Sequence, residues 1–220
     1  MDIKYLGHAS FLIKGRVAKL VTDPFDPKMV GLKYPKQEAD IVTVSHTHGD
    51  HNNIGQIASP PTESLLVIDW PGQFEKKGMR VIGYKSYHDK KQGAERGENI
   101  LYKIEDDLTV LHCGDLGVIP DDKFLDEIGD VDILLIGTGG ETALEPEEAV
   151  ELVKKIEPSI VIPMHYNTSG HDQKIWKGKA PVEDFLKKIG AENIQPIAKL
   201  SVKKEELGEE MKVVVMEIVN

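Results

Sequence analysis

Four side chains that can bind a metal ion stand close together in this sequence: His46, His48, Asp50 and His51. They directly follow residues 40–44, Asp-Ile-Val-Thr-Val, which are predicted to form a buried strand. Residues two apart on an extended chain share one face, so the first two histidines can point at one metal ion. The aspartate and the third histidine are offset by the turn that follows, and they can serve a second ion beside the first.

The donor set predicts the kind of metal. Imidazole and carboxylate ligands without thiolate are typical of catalytic sites, since structural zinc sites normally use cysteine. These donors suit Zn²⁺, and they also suit Mn²⁺ or Fe. A bound ion would lower the pKa of water from about 15.7 towards 7, which makes hydroxide available at neutral pH. We therefore expect one or two divalent ions, with Zn²⁺ the first choice, and hydrolytic chemistry.

Two further candidate ligands follow predicted strands. Asp115 lies in a glycine-flanked turn after the apolar residues 108–111. His165 follows the apolar residues 160–162, at the carboxyl end of a strand, where the sites of layered α/β proteins commonly assemble. An ordinary turn would also suit this aspartate, but its place after a strand favours a ligand.

The elements that must position these side chains can be read from apolar segments and turn residues. Strands are predicted over residues 3–6, 10–13, 17–21, 40–44, 65–68, 79–84, 100–104, 108–111, 132–136, 159–162 and 211–218. Helices are predicted from Asn52 and Asn53 through about residue 58, over 146–156 and over 182–189. Strands followed by alternating strands and helices favour two mixed sheets with helices outside, in a single domain over residues 1–220.

Composition limits the function classes. The 27 Lys and Arg residues are outnumbered by 37 Asp and Glu residues, which gives a formal charge of −10 and opposes binding to nucleic acid or anionic membranes. One cysteine, Cys113, cannot form an intrachain disulfide, and the first residues show no secretory signal pattern. We therefore expect a cytoplasmic protein with a small-molecule substrate and neither nucleic-acid nor membrane partners. The sequence leaves the oligomeric state open.

The segment Ser45-His-Thr-His-Gly-Asp-His51 resembles the T-H-x-H-x-D-H signature of the metallo-β-lactamase superfamily, with serine in place of the first threonine. Other segments look like landmarks of the branch that includes ascorbate-6-phosphate lactonases and bacterial proteins of unassigned function: Gly7-His-Ala-Ser-Phe-Leu12, Thr22-Asp-Pro24, His112-Cys-Gly-Asp115 and Pro163-Met-His165. The resemblance implies the metallo-β-lactamase fold, an αββα sandwich of two mixed sheets with helices on the outer faces, and a metal-dependent hydrolase.

The resemblance also implies a ligand set for two ions. The first ion is assigned His46, His48 and His88, and the second is assigned Asp50, His51 and His165. Asp115 would bridge both ions, and Asp50 would also orient the nucleophile and accept its proton. His112 competes with His88 for the third place in the first set, and the order of the landmarks favours His88.

The remaining candidates surround these ligands. His8 and His112 stand beside landmark residues and are predicted to orient metal ligands through hydrogen bonds. Tyr166 or Asn167 is predicted to donate a hydrogen bond to substrate. His171 follows a polar loop beside the last ligand and is predicted to face either substrate or solvent.

The predicted reaction is hydrolysis of an ester, lactone, amide or phosphodiester of a small molecule, and other classes stay open. Several superfamily branches are nucleases or phosphodiesterases that act on nucleic acid, but those chains are longer, and no insertion of that size fits between Asp115 and His165. A non-catalytic protein that binds metal or another ligand is the other alternative. Di-iron redox relatives replace one motif histidine with an acidic residue and carry a flavin domain, and neither feature is present here.

Overall fold

Alternating residues of the first strands face two different cores. In the computed structural model, which describes residues 1–168 and 171–219, Phe11 and Ile13 belong to the large core that joins both sheets. Leu12, which lies between them, packs instead into a smaller cluster with Phe25 and Trp176 on the other side of the sheet. This two-residue period is the pattern of strands that are buried on both faces.

The described residues contain the following strands: β1 (Asp2–Gly7), β2 (Ser10–Lys14), β3 (Lys19–Thr22), β4 (Gln37–Glu38), β5 (Ile41–Thr43), β6 (Ile57–Ala58), β7 (Leu66–Ile68), β8 (Gly72–Lys76), β9 (Met79–Tyr87), β10 (Glu98–Glu105), β11 (Thr109–His112), β12 (Ile133–Gly137), β13 (Ile160–Met164), β14 (Leu200–Ser201) and β15 (Lys212–Val213). The first sheet has the order β14-β1-β2-β3-β5-β7, and the second has the order β15-β13-β12-β11-β10-β9-β8. A separate pair joins β4 and β6.

Both sheets are mixed, as the sequence predicts. In the first sheet, β2 is antiparallel to both β1 and β3. On the other side of β3, β5 is parallel to both β3 and β7. In the second sheet, β11, β12, β13 and β15 are parallel, and β8, β9, β10 and β11 are antiparallel. Because parallel strands end at the same edge of a sheet, the loops after them are brought together there.

The helices are α1 (Pro27–Val30), α2 (Asp122–Ile128), α3 (Pro146–Ile156), α4 (Gln173–Trp176) and α5 (Val182–Ile189). The two longest, α3 and α5, match the predicted bounds, and they bury Leu152, Val153 and Phe185 in the large core. Gly190 ends α5 in a left-handed conformation with φ 75°. Within the described part of the chain, no helix combines the length and the apolar character that crossing a membrane requires.

Two element predictions are wrong. No α-helix follows Asn53, whose side chain makes no capping hydrogen bond, and only a 3₁₀ turn, Ile54–Gln56, precedes β6. The strand predicted over residues 211–218 pairs continuously only along β15, and Met216 and Ile218 then form isolated bridges to other segments. Short, half-exposed elements of this kind have weak periodicity in the sequence.

Candidate metal centre

The predicted ligands meet at one end of the sandwich, in loops that follow strands of both sheets. The segment 45–51 comes directly after β5 of the first sheet. The second sheet supplies His88 after β9, Asp115 after β11 and His165 after β13. His8 lies in the turn between β1 and β2.

Three groups of side chains have donor atoms within 4.8 Å of one another, close enough to hold a metal ion, and one of them, Asp23, His46 and His51, shares its histidines with the other two. The first group is His46, His48 and His88, and the second is His8, Asp50, His51 and His165. His48 is exposed and Asp50 is partly exposed, whereas the other members are buried. The centre therefore opens to solvent along the segment that carries these two side chains.

One buried carboxylate contacts both groups. Oδ2 of Asp115 lies 3.4 Å from Nε2 of His88 in the first group and 3.3 Å from Nε2 of His165 in the second. Oδ1 lies 3.4 Å from Nε2 of His51. Burial opposes ionisation of Asp115, but His165 and His51 outweigh burial and hold the pKa of this carboxyl well below its usual range.

Several ring nitrogens in these groups are buried without a hydrogen-bond partner in residues 1–168 and 171–219: Nδ1 and Nε2 of His8, Nε2 of His46, Nε2 of His51, Nδ1 of His88 and Nδ1 of His165. Buried polar atoms are normally paired, because an unpaired one loses its hydration without compensation. A cation satisfies the lone pairs of neutral imidazoles. The residues present therefore fit a divalent metal ion.

The electrostatic surroundings of the histidines differ. Burial lowers the pKa of His8 to about 3 and that of His46 to about 3, so both rings are neutral near pH 7. Burial acts in the same direction on His51, but Asp115 and Asp23 outweigh it and raise the pKa of His51 well above its usual value. In the metal-free protein, His51 therefore favours the cationic form, with a proton on both ring nitrogens.

Asp23, to which the sequence analysis gave no role, orients His46 and His51 through hydrogen bonds on the side of each ring that faces away from the site. Its Oδ1 accepts from the Ser45 amide (2.7 Å), and its Oδ2 accepts from the Ser45 hydroxyl (2.5 Å) and from Nδ1 of His51 (2.8 Å). Nδ1 of His46 lies 2.9 Å from the same hydroxyl. These bonds leave Nε2 of both rings facing the site, an arrangement typical of metal-binding histidines. The sequence signal was the Thr22-Asp-Pro24 landmark directly after β3.

The positions of the two rings distinguish His88 from His112 as the candidate for the third place in the first group. His88 lies with His46 and His48, whereas His112 is outside both groups. Nε2 of His112 donates to the Ala9 carbonyl (2.8 Å), and its Nδ1 accepts from the Gly114 amide (3.2 Å). The ring therefore bonds backbone, and the predicted contact with a metal ligand is not observed.

The structure does not support Tyr166 or Asn167 as substrate donors. Tyr166 is buried in the large core, and Asn167 uses its amide on Gln173 (2.9 Å) and on the Trp176 carbonyl (3.2 Å). His171 is buried, and it belongs to none of the groups of potential metal ligands. Its Nδ1 accepts from the Thr168 amide (3.1 Å), and its ring stacks on Trp176 with centroids 3.9 Å apart.

A cavity of about 410 Å³ opens beside His88, lined in part by Lys90, Arg96 and Thr142. One wall is the loop that follows this histidine, and a single carboxylate shapes the loop. Asp89 accepts backbone N–H bonds from Lys91 (2.7 Å), Gly93 (3.0 Å), Glu95 (3.0 Å) and Arg96 (2.7 Å). The wall is therefore preformed, and it carries acidic as well as basic side chains beside His88.

The sequence pattern of the Beta-lactamase superfamily domain matches residues 2–165 of this chain. A UPF0173 metal-dependent hydrolase of Thermococcus kodakarensis is 32% identical over 196 residues, covering 76% of this chain and 85% of the relative. A solved structure from Thermotoga maritima, named a zinc-dependent hydrolase of the metallo-β-lactamase superfamily, is 33% identical with a TM-score of 0.78, covering 98% of this chain and 97% of that one.

A more distant likeness concerns the fold alone. Igni18, a metallo hydrolase of Ignicoccus hospitalis, is 20% identical with a TM-score of 0.65, and the match covers 100% of this chain and 96% of that one. The predicted layers of two sheets and outer helices are thus confirmed. The narrower resemblance to the ascorbate-6-phosphate lactonase branch stays a prediction.

Proposed function

Since this chain belongs to the metallo-β-lactamase superfamily, we propose that its metal centre hydrolyses an ester, lactone, amide or phosphodiester bond of a small molecule. Metal-dependent hydrolase is the level at which the named relatives agree. The bond classes and the choice of Zn²⁺ rest on the donor set, which is rich in imidazole and has no thiolate.

The observation that carries this proposal is the position of Asp115 between the two groups of ligands. Its two oxygens reach the first group at His88 and the second at His51 and His165. A carboxylate shared in this way offsets the repulsion between two cations. We assign His46, His48 and His88 to the first ion, Asp50, His51 and His165 to the second, and Asp115 to both.

When bound, divalent ions supply a lowered pKa for water and an electrophile for the oxygen of the scissile group. The chain supplies the acid–base group. Asp50 is 30% exposed, and the histidines around it outweigh burial and keep its pKa below the usual range. Its carboxylate accepts the proton of the attacking water. The proton then passes to the leaving group as the bond to that group breaks, so the carboxylate is regenerated.

The size and charge of the protein favour a small substrate. The cavity beside His88 is about 410 Å³, within the usual range for small-molecule pockets. The net charge of −10 opposes the phosphate backbone of a nucleic acid. The side chains that line this cavity include five acidic and three basic residues, and Lys90 pairs with Glu148, so the cavity favours a polar substrate without a net negative charge.

The test combines metal analysis with a substrate panel. Protein purified without added metal is analysed for its elements, stripped with a chelator and reloaded with Zn²⁺, Mn²⁺ or Fe²⁺. Each form is assayed on 4-nitrophenyl acetate, a γ-lactone, an anilide and bis(4-nitrophenyl) phosphate, with single-stranded RNA as the competing substrate. We expect turnover of at least one small probe that disappears on stripping and returns on reloading. Tight metal binding with no turnover, or a preference for RNA, would contradict the proposal.

A further inference from the structure

His8 occupies a strained turn that is tied to the metal centre. Gly7 pairs with Ser10, so His8 and Ala9 alone connect β1 to β2, and His8 has φ 58°. A non-glycine residue in this left-handed region costs conformational energy and is found where the surroundings fix it. Here the His8 carbonyl accepts two hydrogen bonds, from the Tyr5 hydroxyl (2.7 Å) and from the backbone amide of His165 (2.9 Å).

The side chain of His8 is aimed into the second group of ligands. Its Nε2 lies 3.3 Å from Oδ2 of Asp50, and its ring centroid lies 4.5 Å from that of His51 and 4.3 Å from that of His165. The side chain is 2% exposed, and neither nitrogen has a hydrogen-bond partner within the described ranges. Backbone bonds thus hold a buried imidazole with free lone-pair capacity among the donor groups of Asp50, His51 and His165.

His112 shows what a structural histidine looks like in the same region. It is also fully buried, but the Ala9 carbonyl and the Gly114 amide occupy both of its nitrogens. Its donor atoms belong to neither group of potential ligands, whereas a donor atom of His8 lies within 4.8 Å of those of Asp50, His51 and His165. The two buried rings therefore differ in the property that matters for metal binding.

We propose that His8 is a direct ligand of the second metal ion, beyond the ligands that the superfamily motif assigns. This inference rests on the proposed function for the existence of that ion. With Asp115 shared, the second ion has five candidate protein ligands and the first has four. The first ion therefore keeps more room for water and substrate, and the second is the more completely enclosed by protein.

A direct test uses cadmium and histidine resonances, and it requires no catalytic assay. Protein labelled with ¹⁵N-histidine is stripped and loaded with two equivalents of ¹¹³Cd²⁺, and His8 is assigned from the resonance missing in His8→Gln. We expect its ring nitrogen to show a one-bond coupling to ¹¹³Cd, and His112 to show none. A His8 resonance without coupling, in protein where His51 and His165 are coupled, would overturn the inference.

Variants separate a ligand from a hydrogen-bond partner. His8→Gln keeps an amide that can donate to Asp50 but removes the imidazole, and His112→Gln is the matched control. Loss of outer hydrogen bonds costs about 10–100-fold in metal affinity, so for His8→Gln we expect the second Kd to rise more than about 100-fold while the first stays near wild type. His112→Gln should bind two ions. A change of about 10–100-fold in a folded His8→Gln protein would make His8 an orienting residue only, and a smaller change would give it neither role; either result would overturn the inference.

These measurements also keep the two proposals apart. Absence of hydrolysis with both ions bound would defeat the proposed function and leave the His8 coupling as a valid result. Hydrolysis by wild type with an uncoupled His8 would defeat the inference and leave the function intact. If His8→Gln does not fold, as judged by circular dichroism, assignment through His8→Asn or by through-bond correlation decides the matter on the wild-type protein.

Discussion

The carbonyl oxygen of His8 accepts a hydrogen bond from the backbone amide of His165 at 2.9 Å, and their imidazole rings lie 4.3 Å apart. His8 belongs to the first hairpin of one sheet, and His165 follows β13 of the other sheet. A single backbone contact therefore joins the two sheets at the point where the second group of ligands assembles. This contact fixes the spacing of the backbone positions from which the two rings extend.

Asp115→Asn is expected to lower metal content from two ions to one and to reduce hydrolysis of the best probe by 100-fold or more, on the order of a lost charge-stabilising group. A neutral amide offsets the repulsion between two cations poorly, while volume and turn preference hardly change. The backbone amide of Asp115 still donates to Asn99 (3.0 Å), but buried His51 loses a carboxylate partner, so we expect the melting temperature of the metal-free protein to fall. Elemental analysis measures the metal content, and calorimetry measures the melting temperature.

The control for that substitution is Asp121→Asn, in which an N-cap carboxylate of α2 that belongs to no group of potential ligands is replaced by an equally good capping residue. It should keep metal content and turnover. Unchanged stoichiometry and rate in Asp115→Asn would place this carboxylate outside the centre, whatever the control shows.

Metal affinity is expected to rise with pH between about 6 and 8. Burial keeps His8 and His46 neutral in this range, with each pKa lowered to about 3, so protons do not compete for these rings. Asp115 and Asp23 outweigh burial at His51 and raise its pKa, so the second ion must displace a proton from it. One displaced proton gives a Kd that falls about tenfold per pH unit until the pKa of His51 is passed.

Isothermal titration calorimetry in buffers of different ionisation enthalpy measures the number of protons released when each ion binds. We expect release of about one proton at pH 7 with the second ion and a much smaller release with the first, because His46 is already neutral. A Kd independent of pH, with no buffer dependence of the heat, would show that His51 is neutral in the metal-free protein.

The motif ligands and the long elements were predictable, because each is a local property of the sequence. His46, His48, Asp50 and His51 are neighbours in the chain, and α3 carries its own first-turn proline and charged ends. Roles that depend on distant contacts were not predictable. Whether His8 or His112 enters the centre is decided by which backbone groups lie within reach of each ring, and those groups come from segments far away in the sequence.

Asp23→Asn is expected to weaken binding of the second ion by about 10–100-fold, the range for groups that orient a metal-binding histidine. The amide cannot accept from the Ser45 amide, the Ser45 hydroxyl and His51 at once, so the tautomer of His51 is no longer fixed. The free energy of unfolding should fall by about 1–3 kcal/mol, because a buried donor is left unpaired.

Asp26→Asn is the matched control for Asp23→Asn, since it lies three residues away and only caps α1, where asparagine serves equally well. It should leave both metal affinities unchanged. If the two variants bind metal with equal affinity, Asp23 does not position His51 for metal binding.

Asp89→Asn is expected to loosen the wall of the substrate cavity without removing metal. A carboxamide oxygen cannot accept all four backbone N–H bonds that the Asp89 carboxylate accepts, so the free energy of unfolding should fall by about 1–3 kcal/mol. Hydrogen exchange should speed up in residues 91–96, and KM for the best probe should rise more than kcat falls. Unaltered exchange in this segment would mean that the loop holds its shape without the carboxylate.

The pairing of β1 with β14 has a consequence for how the protein is made. Asp2 lies opposite Ser201 and Ile3 opposite Leu200, and the amino group of Met1 donates to the Val202 carbonyl at 2.8 Å. The outer edge of the first hairpin thus stays open until residues near 200 leave the ribosome, and contacts of such long sequence separation form slowly. His8 can meet His165 only once β13 of the other sheet has been made, so the second group of ligands is complete only after the two sheets have packed together.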